Sequence, residues 1–186
     1  MSGMTSPAIE APPLLLEQFV AAAVSAAATA EVVDRNPRAL ADAILGKAGD
    51  AGRILFAPPQ VMPAELFARF ASDPRVITQP DSEQLVHSAV GVTEAFAGVA
   101  RTGSVCVDVN YQRTGLVSLL APLHIAVVAA ENIVSQPRDL FRPDVLNGEG
   151  LTRDFVFITG PSATADMGPL VRGVHGPHRL HVIVVR

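Results

Sequence analysis

The chain has 186 residues, enough for one folded unit with a full core. Hydrophobic residues make up 49% of it, and 14 Lys or Arg stand against 18 Asp or Glu for a net charge of -4. With no basic cluster, that balance argues against a nucleic-acid-binding role. Lys47 is the single lysine, and its place at the frayed end of a helix reads as dipole complementarity. The one cysteine, Cys106, sits in the apolar run 104–107, where it reads as an inert strand thiol in a cytoplasmic protein.

Residues 1–13, with Ser, Gly and Pro common, are expected to form a flexible N-terminus ahead of one α/β domain over 14–186. Leu14 to Val33 is apolar and Ala-rich. No basic residue precedes it, and its uninterrupted part, Phe19 to Ala30, falls short of the about 20 residues a membrane span needs. It reads as a long helix with Leu15, Phe19, Ala23, Ala27 and Ala30 on one face. Asn36-Pro37 opens a second helix as N-cap and first-turn proline, and Gly46 or Gly49 closes it, so N-terminal helices fill about 14–48.

Arg53 to Ala57 reads as a short strand, Pro63 to Ser72 as a helix and Val76 to Thr78 as a strand. A further strand runs into Val92, followed by a helix from Thr93 to Ala100, a stop at Thr102-Gly103 and a strand to Val109. A polar loop, Tyr111 to Gly115, precedes the apolar strand Leu123 to Ala130. A helix begins at Pro137 and leads to the connector Asn147-Gly148-Glu149-Gly150. Phe155 to Thr159 and Leu180 to Val185 read as strands of a βαβ unit with a short helix between them. This alternation predicts a three-layer fold, a mostly parallel sheet flanked by helices.

Candidate chemistry gathers at the turns. Ser162, Thr164 and Asp166 follow Gly160-Pro161 where a helix is expected to start, and helix starts receive anions. Thr93 and Glu94 occupy a second strand-to-helix junction, where helix capping and ligand binding rest on the same geometry. Arg101, with Thr102 and Gly103, and Arg113 in its polar loop offer guanidinium forks for a carboxylate or phosphate. His124 reads as a satisfied, partly buried histidine. His175 lies between glycines, and its spacing to His178 and His181 does not suit a metal. Glu94, Asp166 and His175 are the candidate catalytic groups.

Taken in order, Gly91-Val92-Thr93, Thr102-Gly103, the run Ser118 to Ile125, Gly160 to Asp166 and Gly173-Val174-His175-Gly176-Pro177 form a recognisable set. It resembles the lactate-utilisation (LUD domain, LutC-like) family over roughly Ala89 to Val185. The resemblance implies a fold similar to the NagB/RpiA/CoA-transferase-like group. It also implies a part in a cytoplasmic system oxidising L-lactate to pyruvate, with iron–sulfur centres in companion subunits and no cofactor in this chain. This sequence has Arg101 where the family typically has Glu before Thr-Gly, and Phe96 where it often has Asp. Three functions stay open: a lactate-system component with a small-carboxylate site, a stand-alone enzyme acting on an acyl-CoA or sugar phosphate, and a non-catalytic assembly or regulatory module.

Overall fold

The computed structural model describes residues 13–109, 113–142, 154–164 and 168–186. Residues 1–12 of the expected flexible N-terminus, Tyr111, the 147–150 connector and Asp166 lie outside the described residues. Helix α1 (Pro13–Ser25) is followed by strand β1 (Thr29–Val33), α2 (Pro37–Ala48), β2 (Ile54–Phe56), α3 (Ala64–Ala71), β3 (Val76–Ile77) and α4 (Ser82–His87). Then come β4 (Val90–Ala95), β5 (Ala97–Val99), β6 (Ser104–Asp108), α5 (Thr114–Leu120), β7 (Leu123–Ala129) and β8 (Ile133–Val134). Strands β9 (Phe155–Ile158), β10 (Ala163–Thr164), β11 (Val171–Arg172) and β12 (Arg179–Val185) complete the order.

Six strands form one parallel sheet in the order β1-β12-β7-β4-β2-β3. Its central strands carry near-continuous apolar runs because both faces are covered, which is why β7 and β12 were legible without any alternation. One face packs Ile54, Phe56, Val90, Val92, Ile125, Val127 and Ile183 against Leu40, Ile44, Phe67 and Phe70 of α2 and α3. The other face packs Ala95, Ala126, Val128, Val182 and Val184 against Phe19 and Ala23 of α1 and Val105 and Val107 of β6. Helices α4 and α5 join this second side through Leu55, Leu85 and Val117. The expected three-layer α/β plan, a mostly parallel sheet flanked by helices, is present.

Local chemistry sets the helix ends. Asn36 caps α2 by accepting from the Ala39 N–H, with Pro37 at the first turn. Helix α1 stops earlier than its apolar face suggests. Ala27 takes a left-handed φ of 65°, Ala28 N–H donates to Ala23 O, and Ala27 N–H donates to Val24 O. That is a Schellman closure, and it turns the chain into β1. Ala30 therefore lies in a strand paired with Val182, not on a helix, and the N-terminal segment is helix-strand-helix.

The largest correction concerns 93–100. Instead of a helix, Thr93, Glu94 and Ala95 continue β4, and β5 leads directly into a second sheet, ordered β8-β5-β6-β9. Pairing of Thr93 to Ala95 with β7, and of Ala97 to Val99 with β6 and β8, engages these backbone groups and overrides the helix preference of an Ala-rich run. Strand β9 belongs to this second sheet, antiparallel to β6, so β9 and β12 are not halves of one βαβ unit. Where a helix was expected after Ser162, the described residues show β10 paired antiparallel with β11. Conversely, helix α5 begins within the expected polar loop Tyr111 to Gly115 and runs on to Leu120.

Candidate functional site

Gly91 decides where one ligand-sized cavity lies. A Cβ at this position would stand 2.1 Å from the Val117 carbonyl oxygen, so only glycine lets α5 lie directly on β4. That contact brings Gly115, Ser118 and Leu119 of α5 above the amino ends of β7 and β12. Opposite them, Val156 to Ile158 of β9 and the turn Thr159 to Ala163 form a second wall. The turn His175-Gly176-Pro177 closes the rim, and His124 and Leu180 line the floor, enclosing a cavity of about 570 Å³. It sits at the amino ends of the parallel strands, unlike the carboxyl-end crevice common in doubly wound folds.

The two C-terminal motifs meet here. Ser162 N–H donates to Pro177 O and Gly173 N–H donates to Ser162 O, each at 2.9 Å. Gly176 lies so close that a Cβ would come within 3.1 Å of Ser162 Cβ and 3.4 Å of Leu119. Gly160, with φ of 68°, has no room for a Cβ beside the Ala26 carbonyl at the end of α1. Gly103, also left-handed, packs against Ala22 and Ala23 of the same helix. From the turn it occupies, hydroxyls run Thr102 to Ser104 at 2.6 Å and Ser104 to Thr159 at 2.7 Å, reaching the cavity wall. Gly160, Ser162 and His175 thus line the cavity, while Thr102 and Gly103 brace it from behind.

Other candidates sit elsewhere. Thr93 is fully buried inside the sheet rather than at a rim; its hydroxyl meets His124 Nε2 at 2.9 Å, which ties it to the floor. Glu94 does not cap a helix. Its carboxylate accepts the consecutive N–H groups of Gln60 (2.7 Å), Val61 and Met62, fixing the loop before α3. Beside it, Ala57, Pro58, Phe96, Asp108 and Thr114 leave room of only about 20 Å³. Phe96 stacks edge-on against Phe155 at 5.3 Å. Arg101 is exposed in the β5–β6 turn. Arg113, with φ of 62° at the start of α5, donates to Pro80 O at 2.6 Å beside a separate cleft with Thr78 and Gln79. Thr164 pairs with Val171 in the small hairpin and does not line the cavity.

Sequence reasoning passed over Ser118, Leu119, Phe157 and Thr159, and read His124 as satisfied. His124 is fully buried, and burial pushes its pKa down to about 4, so the ring is neutral. Its Nδ1 has no hydrogen-bond partner among the described residues. No Asp, Glu, Lys or Arg lines the cavity among the described residues. His181 is held by Thr29 and Glu31, at 2.7 and 2.8 Å, and does not join His175 or His178 at a metal. Among the described residues no group of three His, Cys, Asp or Glu is placed to hold a metal ion. Cys106 is buried and its thiol is pushed up to about 12 by desolvation, so it suits neither cluster ligation nor nucleophilic chemistry.

The architecture defines an α/β protein whose parallel sheet is covered on both faces and whose ligand-sized cavity is walled by a second, mixed sheet. The chain belongs to the LUD domain family, whose model matches residues 60–185. Lactate utilization protein C of Bacillus subtilis (strain 168) is 36% identical over 100 residues, 52% of this chain and 42% of that protein. Its counterpart in Halalkalibacterium halodurans is 34% identical over 113 residues, 56% of this chain and 49% of that protein. Lactate utilization protein B of Bacillus pumilus (strain SAFR-032) is 30% identical over 111 residues, 21% of its length. The matched segment thus spans less than half of each relative. The crystal structure of a DUF162 family protein from Deinococcus radiodurans has a TM-score of 0.67, covering 93% of this chain and 97% of that one at 23% identity, a likeness of fold. Among the described residues no helix is long and apolar enough to cross a membrane.

Proposed function

We propose that this chain is a LutC-like component of a cytoplasmic system oxidising L-lactate to pyruvate. Its own contribution is a small-carboxylate site in the cavity between α5 and β9, with the iron–sulfur centres in partner subunits. The observation that carries this reading is the meeting of the Gly160–Ser162 and Gly173–Pro177 motifs at one ligand-sized cavity in a chain similar to lactate utilization protein C. Ser162 lines the cavity and His175 is exposed at its rim, so both side chains can offer hydrogen bonds to a carboxylate and its α-oxygen. A single carboxylate is met by such neutral donors. A coenzyme A or sugar-phosphate ligand would call for Arg or Lys, which the described lining lacks. Glu94 is engaged by three backbone N–H groups, which counts against its use as a base in a stand-alone enzyme. Against a purely structural module stand an exposed Arg101 and an open cavity beside Ser162.

The test is thermal unfolding of the full chain with L-lactate, pyruvate, coenzyme A and a sugar phosphate, paired with capture of iron–sulfur subunits. Ligand at a hundred times its Kd stabilises by about 2.7 kcal/mol, or roughly 5–11 °C for a chain of this size. A shift with the 2-hydroxy and 2-oxo acids that Ser162→Ala weakens is expected. No shift with either acid and no captured iron–sulfur partner defeats the proposal.

A further inference from the structure

The cavity is larger than lactate alone would fill. Lactate has about six heavy atoms, whereas pockets of roughly 300–1,000 Å³ hold drug-sized ligands, and this one encloses about 570 Å³. Its walls include Leu119 and Val156, which are 49% and 40% exposed, and the buried Leu180. Large apolar side chains left open around a concave space mark a surface waiting for an apolar body.

The polar end of the same space is defined by an unfinished hydrogen-bond account. Thr93 is fully buried and has His124 as its one side-chain partner among the described residues. If Nε2 carried the imidazole proton, the Thr93 hydroxyl hydrogen and the Nδ1 lone pair would both be left unmade. With the proton on Nδ1, Thr93 donates to Nε2 and only one group, Nδ1–H, lacks a partner. The second arrangement leaves fewer buried groups unpaired and is the one favoured. It makes His124 a neutral donor held in one tautomer by Thr93, on the floor of a cavity that no Asp, Glu, Lys or Arg lines among the described residues.

The geometry points to a 2-hydroxy or 2-oxo acid with a bulky apolar side chain as the occupant, its oxygen end accepting from His124 and Ser162 and its apolar body lying against Leu119, Val156 and Leu180. This rests on the small-carboxylate reading above and narrows its ligand class. Nδ1 is buried at the cavity floor, so an acceptor reaches it only if the lining parts around it. Thr93 is the positioning residue, since it fixes which ring nitrogen donates.

The experiment titrates the full chain with L-lactate and with L-3-phenyllactate, by calorimetry and by nitrogen-15 NMR of the imidazoles. Phenyllactate is expected to bind at least tenfold tighter than lactate, from the added apolar area alone, and to shift the His124 Nδ1 resonance. His124→Phe, which removes the orphaned donor while keeping an apolar ring, is expected to fold and to weaken phenyllactate about tenfold or more. Thr93→Val is expected to scramble the tautomer, read directly from the ring nitrogen shifts. Lactate binding as tightly as phenyllactate overturns this inference and leaves the small-carboxylate reading standing. Phenyllactate binding without any change at His124 overturns the role given to the imidazole. Binding of neither acid removes both readings together.

Discussion

Substituting Gly91 by Ala tests how the cavity is built. Gly91 lies in β4 beside His124 in the register of the parallel sheet, and α5 crosses directly over it. The added Cβ meets the Val117 carbonyl oxygen at 2.1 Å, Val117 C at 3.1 Å and Val117 Cγ1 at 3.2 Å. The first two are backbone atoms, so no rotamer change relieves the clash; α5 must lift or β4 must bend. Overpacking typically costs 1–3 kcal/mol, and a backbone-on-backbone obstruction belongs at the upper end, about 3 kcal/mol or more. At roughly 2–4 °C per kcal/mol for a chain of this length, Gly91→Ala lowers Tm by about 6–12 °C. Since α5 carries Ser118 and Leu119, any folded protein also loses ligand affinity. Gly46→Ala is the matched control: it sits exposed in α2 with nothing within 4 Å of a new Cβ, and gains about 1 kcal/mol from helix propensity. Differential scanning calorimetry reads both. A Tm for Gly91→Ala within about 2 °C of the parent refutes the placement of α5.

Ala27→Gly relieves a left-handed alanine at the Schellman closure of α1 and is expected to stabilise by about 1 kcal/mol, read by chemical denaturation. Glu94→Gln puts an amide NH₂ among the N–H groups of Gln60, Val61 and Met62; it should cost about 2–4 kcal/mol and speed hydrogen exchange at those three amides. His124 is held neutral by burial, with its pKa at about 4 against 6.5 in the unfolded chain. Below pH 6.5 the unfolded state therefore binds the extra proton, and stability falls as pH drops from 6.5 towards 4, by on the order of 3 kcal/mol in total. His181, lowered chiefly by burial against its contact with Glu31, adds a slope of the same sign, so His124→Phe should reduce the slope without abolishing it.

Where the sequence carried its own punctuation, it was read well. Asn36-Pro37 and Gly49 bracket α2, and the apolar runs of β7 and β12 announce strands covered on both faces. The main failure falls at residues 93–99, which are buried throughout and whose strand character comes from pairing with the distant β7 and the adjacent β6. A run of Thr, Glu, Ala, Phe, Ala and Gly has neither a period of two nor β-branched enrichment, so propensity pointed to a helix. Helix α5, at seven residues, is too short to show a period, and the second sheet is invisible until β9 finds β6. For the site, the glycine-flanked motifs named Gly160, Ser162 and His175, because turns that present function need special backbone geometry. The guanidinium groups of Arg101 and Arg113 were drawn in by charge chemistry alone, and neither residue lines the cavity. His124 was missed because an imidazole in an apolar strand shows its unpaired nitrogen only once Thr93 is seen across the sheet.

A crystal structure of the chain soaked with L-3-phenyllactate and, separately, with L-lactate addresses the site most directly. Density between α5 and β9, with an oxygen within hydrogen-bond reach of Ser162 or His124, is the predicted result. Density instead at the carboxyl ends of the parallel strands, beside Glu94 or the Arg113 cleft, with the α5–β9 space filled only by water, contradicts it.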